Sequence, residues 1–230
     1  MTKVCAFVFA RGGSKGLPDK NILPLGGIPL LVHSIQLAQK INKIHSVFVS
    51  TDSSRIGDIA EKAGAHVIYR PPHLATDDSR EWLSWQHAIN EVQTKHGSFD
   101  TFLSLPTTSP LRSVDDVERC LQALQPGIDI VLTMSHARRS PWFNMVTLQD
   151  TGKINLVSPE LAINRRQDAP DCYDLTTVAY VSRPNFILES SSIWDGNATG
   201  VVIPPERAID IDNPLDYRIA TIIYELGLQG

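Results

Sequence analysis

Val4 to Asn21 reads VCAFVFARGGSKGLPDKN, and this stretch decides the fold. It begins with a short apolar run of Val and Phe, which is typical of a buried strand. At Arg11 the run gives way to a loop that holds three glycines and three cations. In open α/β sheets, ligands bind beyond the carboxyl ends of the strands, and the first strand-to-loop junction commonly holds phosphates. The stretch therefore predicts an α/β protein with an anion site in this loop.

The loop is built from residue types that suit phosphate oxygens. Glycines lack a Cβ atom, so the backbone can take a positive φ and bring its N–H groups close to an anion, while the cations add full positive charge. These residues are Gly12, Gly13, Gly16, Arg11, Lys15 and Lys20. The loop matches neither the G-x-G-x-x-G motif nor the G-x-x-x-x-G-K-S/T motif, so neither a dinucleotide enzyme nor an ordinary ATPase is indicated. A flexible basic loop without a ligand is the alternative interpretation.

Length and composition allow one α/β domain, or one domain with a modest insertion. The 230 residues are 42% hydrophobic and 20% charged, which is ordinary for a globular protein. A net charge of −4 argues against a general nucleic-acid binder. The three cysteines lack the spacing of a zinc site. The apolar run at residues 4–10 is too short for a membrane span and lacks a signal-peptide cleavage site, so we expect a cytoplasmic protein with no membrane partner.

Beyond the loop, short apolar runs alternate with segments of helical spacing. Strands are predicted at 46–50, 66–69, 101–105, 128–134, 178–182 and 201–204, and helices at 30–38, 54–63, 82–92, 114–124 and 214–226. This alternation indicates a doubly wound, mostly parallel α/β sheet within a single domain of residues 1–230. Trp82 and Trp85 are expected in the core rather than in a base-stacking site. The last helix is expected to be anchored by Ile219, Ile222, Ile223 and Leu226.

Two polar segments at predicted strand ends have more than one interpretation. Asp52 could bind a ligand, but it precedes a run suited to a helix N-terminus, and a helix cap is the favoured interpretation. The segment 106–112, PTTSPLR, reads as a rigid turn before a helix capped by Ser113 or Asp115. Its hydroxyls and its cation could instead hold a polar ligand in a fixed geometry.

The pattern changes between about residue 135 and residue 175. Short apolar pieces are separated by Gly152, Pro159 and polar residues, and a cationic segment around Arg165 and Arg166 precedes Pro170. This reads as an excursion from the sheet. Exposed arginine pairs are usually solvated surface, which is the alternative to a functional role for these two.

An acidic pair lies close to the last helix. Asp210 and Asp212 alternate with Ile209 and Ile211, so on an extended backbone both carboxylates point the same way. Mg²⁺ prefers oxygen ligands and is usually held by one or two carboxylates together with substrate phosphates. The alternative is that Asp212 only caps the helix that begins at Pro214.

Several motifs, in this order, resemble those of the acylneuraminate cytidylyltransferases, the CMP-sialic acid synthetases. The matching segments are 10–16, 20–21, 50–52, 70–71, 108–112, 166–167 and 209–212. They span nearly the whole chain, and the ordered set is more specific than any single motif. The resemblance implies a Rossmann-like nucleotidyltransferase fold in which the anomeric hydroxyl of an α-keto acid sugar attacks the α-phosphorus of CTP and pyrophosphate leaves.

The resemblance also implies a role for each matching residue. The residues implied in catalysis are Arg11, Lys15, Lys20 and Asp212, and those implied in nucleotide binding are Ala10, Arg11, Gly12, Gly13, Asn21, Arg70 and Asp210. Asp210 and Asp212 would hold Mg²⁺. Thr108, Ser109, Arg166 and Gln167 would face the acidic nine-carbon sugar. In this family the 135–175 excursion forms a homodimer and lends basic residues to the neighbouring site, which implies that Arg166 and Gln167 act from a partner subunit. No side chain stands out as the general base.

The acceptor half of the chain departs from the family pattern. Leu105 to Thr107 replaces a frequent Gln, Trp142 replaces a frequent Lys, Asp174 stands where Arg is frequent, and Thr176-Thr177 replaces Asn-Gly. We expect N-acylneuraminate as the first acceptor, followed by legionaminate, pseudaminate or an eight-carbon octulosonate. The alternatives are a nucleotidyltransferase for another sugar phosphate or cofactor, and a non-catalytic nucleotide-binding protein.

Overall fold

The computed structural model describes residues 2–13, 16–76, 78–161 and 163–228. Within these residues the strands are β1 (Val4–Phe9), β2 (Pro24–Leu25), β3 (Ile28–Pro29), β4 (Ile44–Thr51), β5 (His66–Tyr69), β6 (Thr101–Ser104), β7 (Ile130–His136), β8 (Val146–Leu148), β9 (Ile154–Leu156), β10 (Tyr173–Ser182) and β11 (Ala198–Val202). The helices are α1 (Leu30–Gln39), α2 (Ser54–Lys62), α3 (Glu81–His96), α4 (Val114–Ala123), α5 (Pro184–Glu189) and α6 (Pro214–Glu225). Short 3₁₀ turns occupy Lys20–Ile22, Pro72–Leu74 and Arg166–Asp168.

The main sheet has the strand order β11-β7-β10-β6-β1-β4-β5. All neighbouring strands run parallel except β10, which is antiparallel to both β6 and β7. The order reverses at β1, because the chain continues to β4 on one side and reaches β6 on the other. The prediction of a mostly parallel sheet is therefore confirmed, and the crevice beyond β1 and β6 is the expected ligand site.

Helices cover both faces of this sheet, so it is doubly wound as predicted. On one face α1, α2 and α4 pack through residues such as Ile35, Ala60 and Val117. On the other face α3 packs through Trp82 and Trp85, which are 8% and 3% exposed. Both tryptophans therefore belong to the core, as expected. The strands are buried from both sides, which explains why they read as continuous apolar runs.

The thiols of two cysteines lie in this core. Cys5 of β1 and Cys120 of α4 are 1% and 0% exposed. Desolvation raises the pKa of Cys5 to about 11 and that of Cys120 to about 12. Both side chains therefore stay protonated and unreactive at neutral pH.

A third, smaller cluster joins α6 to the β2–β3 hairpin and corrects one expectation. The cluster contains Leu25, Leu30, Leu111, Ile211 and Ala220, with Tyr217, Ile223 and Tyr224 packed against it. The expectation that Ile219, Ile222 and Leu226 anchor the helix is wrong, because these side chains are 38%, 56% and 65% exposed. Ile223 does pack against the cluster as predicted, together with Ala220 and the two tyrosine rings, while the other three aliphatic side chains lie on the opposite face.

The chain leaves the main sheet after β7 and returns at β10. Between them β8 and β9 form an antiparallel hairpin of their own, in which Val146 is opposite Leu156. The returning strand begins at Tyr173, earlier than the predicted 178, because residues 173–176 pair with β7 before a register shift that ends at Tyr180. The division into a domain and an excursion at about 135–175 stays a prediction.

Candidate active site

The loop after β1 is held against the end of β4. The backbone N–H of Gly12 donates to Oδ1 of Asp52 at 2.9 Å, and Nδ2 of Asn21 donates to the carbonyl of Arg11 at 2.9 Å. The expectation that Asp52 caps α2 is wrong, because the cap is Ser53, whose hydroxyl accepts from the N–H of Ile56. Asp52 is instead an anchor for the glycine loop.

This loop also lies directly against the acidic segment near the chain's end. A Cβ atom on Gly16 would lie 2.7 Å from the backbone carbonyl oxygen of Asp212, which is closer than real Cβ contacts allow. The absence of a side chain at position 16 therefore lets the two segments approach each other. Lys20 completes the contact, since its Nζ lies 2.8 Å from Oδ1 of Asp212.

A cavity of about 680 Å³ opens at the carboxyl ends of β1, β5 and β6. Its volume is in the range of small-molecule sites. The predicted site residues that line it are Arg11, Lys20, Asn21, Arg70, Thr108, Asp210 and Asp212. The first loop, the end of β5, the turn after β6 and the acidic segment are far apart in sequence, and the fold brings them together here.

Asp210 and Asp212 both face this cavity, on either side of a fully buried Ile211. The N–H of Ile211 donates to the carbonyl of Thr108 at 2.8 Å, which fixes the segment against the turn after β6. Asp212 does not cap α6, because the side chain of Asn213 accepts from the first N–H groups of that helix. Oδ1 of Asp210 is buried and has no hydrogen-bond partner within the described part of the chain. Asp210 therefore faces the cavity with an oxygen that no described residue pairs, whereas Asp212 faces it as the ion-pair partner of Lys20.

Arg70 is a largely buried residue that lines the cavity. It is 9% exposed, and its guanidinium donates to the carbonyl of Ser50 at 2.6 Å and to the hydroxyl of Ser84 at 3.3 Å. The guanidinium also lies 5.8 Å from the centre of the Phe9 ring. Desolvation lowers the pKa of Arg70, while the charge of Asp52 opposes that effect. Arg70 therefore carries a buried positive charge and ties the ends of β4 and β5 to α3.

In the turn after β6, some polar residues hold the turn in place and others line the cavity. Arg112 lies under the turn and donates to the hydroxyl of Ser34 at 2.9 Å and to the carbonyl of Pro106. It is 5% exposed and supports the turn rather than facing a ligand. The hydroxyl of Thr107 donates to the side-chain carbonyl of Asn21, so the turn and the first loop hold each other in place.

Several predicted site residues do not line this cavity. Ala10 is fully buried and donates its N–H to the carbonyl of Ser50 at 3.0 Å. Ser109 is also fully buried, and its hydroxyl lies 2.7 Å from that of Thr177. Gly12 and Gly13 line a small adjoining recess. Arg166 and Gln167 are exposed on the excursion, where Arg166 donates to the carbonyl of Arg138 at 3.1 Å. Lys15 lies outside the described residues.

The cavity also contains polar residues that were not among the predicted site residues. They are Thr76, Ser79, Glu81, Ser84, Thr107, Thr177 and Tyr180. Desolvation, then the carboxylates of Glu81 and Asp210, raise the pKa of Tyr180 to about 12, so its phenol stays a neutral donor at neutral pH. Desolvation also raises the pKa of Glu81. Tyr180 lies in the strand predicted at 178–182, directly after the Thr176-Thr177 departure from the family pattern, whereas Glu81 opens a helix by an ordinary pattern and gave no signal.

A doubly wound sheet with a charged cavity at its strand reversal defines the class of nucleotide-binding α/β enzymes. The model of the cytidylyltransferase family matches residues 5–139. The chain belongs to this family and is a nucleotidyltransferase.

Relatives with known names cover the chain from end to end. Post-translational flagellin modification protein B of Campylobacter coli is 32% identical over 100% of this chain and 99% of that protein. CMP-N,N'-diacetyllegionaminic acid synthase of Campylobacter jejuni is 31% identical over 98% of this chain and 97% of that protein. N-acylneuraminate cytidylyltransferase of Escherichia coli is 27% identical over 97% of this chain, which spans 52% of that protein. The solved structure of CMP:2-keto-3-deoxy-manno-octonic acid synthetase has a TM-score of 0.71 at 16% identity, with 100% of both chains covered, and agrees in fold.

Proposed function

We propose that this protein transfers CMP from CTP to the anomeric hydroxyl of an acidic nine-carbon α-keto sugar. The observation that carries the proposal is the cavity in which Arg11 and Lys20 lie with Asp210 and Asp212 beyond the reversal point of the sheet. Such a site combines cations for phosphate oxygens with carboxylates for a divalent cation. In the reaction, the sugar oxygen bonds to the α-phosphorus, the bond from that phosphorus to the bridging oxygen of the β-phosphate breaks, pyrophosphate leaves, and the proton of the attacking hydroxyl passes to solvent.

The residues of the cavity act by positioning and by neutralising charge. Arg11 and Lys20 bind the phosphates, and Lys15, from the same stretch of sequence, adds a third cation, while the N–H of Gly12 holds the loop in place by donating to Asp52. Asn21 holds the loop in place through its bonds to Arg11 and Thr107. Because the loop is held before substrate arrives, little reorganisation is needed when negative charge develops on the leaving pyrophosphate.

The acidic pair fits Mg²⁺. Oδ1 of Asp210 is buried with no hydrogen-bond partner among the described residues, and Asp212 directs its carboxylate at the cavity, where it pairs with Lys20. Two carboxylates with room for phosphate oxygens make the donor set that Mg²⁺ usually takes. When bound, the ion would supply Lewis-acid polarisation of the phosphate oxygens. Among the described residues no cluster of three or more His, Cys, Asp or Glu side chains is arranged to hold a metal.

The relatives refine the choice of acceptor. The sequence alone favoured N-acylneuraminate, but the relatives named for N,N'-diacetyllegionaminic acid are 31% and 30% identical, against 27% to 29% for the relatives named N-acylneuraminate cytidylyltransferase. Legionaminate differs from neuraminate at the end of the sugar remote from the carboxylate. Among the departures from the family pattern, Thr107 and Thr177 line the cavity, which is consistent with a changed acceptor pocket. We therefore propose a legionaminate-type nonulosonate as the acceptor.

The excursion supports the proposal of a homodimer. Large apolar side chains are exposed along it, including Val146 at 50%, Leu148 at 74% and Ile154 at 63%. Contiguous exposed apolar surface of this kind is typical of a subunit interface. Arg166 and Gln167 lie on the same excursion and do not line the cavity of their own chain. We propose that they reach the neighbouring subunit's cavity, where a guanidinium suits the sugar carboxylate.

The test is pyrophosphate release from CTP and Mg²⁺ with a panel of acidic sugars. The panel holds N,N'-diacetyllegionaminate, N-acetylneuraminate, pseudaminate and an eight-carbon octulosonate, and Asp212→Asn serves as the inactive control. Release with one nine-carbon sugar is the expected result. Release only with the octulosonate would overturn the acceptor class. Tight CTP binding without release from any sugar would favour a non-catalytic nucleotide-binding protein.

A further inference from the structure

The helix α6 has an exposed apolar stripe opposite the face that packs on the body of the protein. The packed face contains Ala220, which is fully buried, together with Tyr217, Ile223 and Tyr224. The stripe consists of Leu215, Ile219, Ile222 and Leu226, which are 65%, 38%, 56% and 65% exposed. A single exposed leucine needs no explanation, but four aligned on one helix do.

The spacing of the stripe is that of a helix-pairing surface. Its members are separated by four, three and four residues, which is the alternation of core positions in a coiled coil. At about 100° per residue they fall within an arc of about 60°, and they extend over about 16 Å of helix. The stripe is therefore narrow and straight, and it suits a second helix laid along it.

The charges beside the stripe make it self-complementary. Arg218 and Glu225 are exposed and lie on the same flank of the stripe, seven residues apart, which is two turns or about 10.5 Å. A two-fold axis that passes between Ile219 and Ile222 brings this flank against its own copy in the reverse direction. Arg218 then lies about two residues, or 3 Å along the axis, from the level of the partner subunit's Glu225, which is within reach of these long side chains, and the pair occurs twice.

We propose that α6 pairs antiparallel with α6 of a second copy of this chain, through the apolar stripe and the two symmetric ion pairs. Parallel pairing is disfavoured, because it would place Arg218 against the flank that holds Ile223. The isologous arrangement needs only one surface, which is how most homo-oligomers associate. The contact is separate from the β8–β9 excursion and does not depend on the proposed function.

The area of the stripe limits the affinity that can be expected for the α6–α6 association. One helix face is smaller than the roughly 1,000 Å² that a stable interface usually buries, so we expect a weak, concentration-dependent association. If the excursion also forms a dimer, α6 joins such dimers into a larger assembly. If it does not, α6 pairing alone produces a dimer of weaker affinity.

Sedimentation velocity of the full chain over a range of concentrations tests the proposal by a charge-swap cycle. Arg218→Glu and Glu225→Arg each place like charges together and should weaken the association about tenfold. The double variant carrying both changes should restore it, since the pairs re-form with reversed sign. Ile222→Gln removes apolar contact at a solvent-exposed position, so it should abolish the association while leaving the melting temperature nearly unchanged.

Leu148→Gln in β8 is the matched control, because it removes an exposed apolar side chain from the other candidate interface. It should leave the α6 step of association intact. The proposal is overturned if the wild type shows no concentration-dependent step that Ile222→Gln removes. It is equally overturned if the double charge variant is as weak as the single ones, which would mean that another partner covers the stripe.

Discussion

Among single residues, Asp212 is the clearest case of a side chain that lines the cavity but contributes little to the stability of the fold. It is 67% exposed, pairs with Lys20, and leaves the capping of α6 to Asn213. We therefore expect Asp212→Asn to fold normally and to lower the maximal rate about 100-fold at saturating Mg²⁺, the size of effect seen when a preorganised charge is removed. The measurement is the steady-state rate of pyrophosphate release, with circular dichroism for the fold.

Asp58→Asn provides the control for this change, because Asp58 is an exposed carboxylate on α2 away from the cavity. It removes the same charge and should leave the rate unaltered. An Asp212→Asn enzyme with wild-type turnover would show that the acidic pair does not hold the metal.

Lys20 faces the cavity from the other side of the same ion pair. Its side chain is 16% exposed and points at Asp212 rather than into bulk solvent. Lys20→Ala should raise the KM for CTP about tenfold or more, because a desolvated charge on the phosphates is lost. Initial rates over a CTP series at fixed acceptor measure the change, and Lys62→Ala on α2 is the control. Unchanged CTP kinetics would remove Lys20 from the phosphate site.

At the scale of elements, the start of α4 depends on one buried carboxylate. Asp116 is fully buried and accepts two hydrogen bonds from Arg207, at 2.8 and 3.0 Å. It also accepts from the N–H of Ser113, whose hydroxyl caps the helix in return. Burial pushes the pKa of Asp116 upward, but these hydrogen bonds outweigh it and hold the pKa below its ordinary value. The group therefore links the helix cap to the segment before the acidic pair.

We expect Asp116→Asn to lower the free energy of unfolding by about 2 to 3 kcal/mol at pH 7, because it leaves Arg207 without its counter-ion. A carboxyl with a depressed folded-state pKa stabilises the fold above its unfolded-state pKa of about 4, and that stability is lost as pH falls through the folded value. The difference in the free energy of unfolding between the wild type and the variant should thus become smaller below about pH 4. Urea unfolding from pH 7 to pH 3 measures it.

Asp115→Asn is the matched control, since Asp115 is the exposed neighbour of Asp116 in the same first turn of α4. This substitution should lower the free energy of unfolding by a few tenths of a kcal/mol at most. If both variants were equally stable at pH 7, Asp116 would not be the link between α4 and Arg207.

The same elements show what the sequence could predict and what it could not. Local patterns predicted β5 at 66–69 and the Ser113 cap, because periodicity and capping chemistry act over a few residues. The role of Asp52 was missed, since its partner Gly12 is forty positions away and only the β1–β4 pairing brings them together. Of the four aliphatic residues predicted to anchor α6, only Ile223 makes the contact, because Tyr217 and Tyr224 occupy the rest of the packed face. Glu81 lines the cavity although no motif in the sequence indicated it.

At the scale of the whole molecule, the proposed site divides between two subunits. The phosphate loop and the acidic pair come from one chain, while Arg166 and Gln167 sit on an excursion that does not line that chain's cavity. A homodimer of this kind would hold two identical composite sites. Each site would then require an intact Asp212 from one subunit and an intact Arg166 from the other.

An experiment that mixes two inactive variants distinguishes a site shared between two subunits from a site formed within one chain. Asp212→Asn and Arg166→Ala should each lower activity strongly when assayed alone. After subunit exchange, half of the dimers are mixed and each mixed dimer has one site with both residues intact, so the mixture should recover about a quarter of wild-type activity. If Arg166 served its own chain, every mixed dimer would keep one defect per site and the mixture would be no more active than the average of its parents. Recovery on mixing can arise only if the excursion crosses the interface, because neither chain supplies both groups to one cavity by itself.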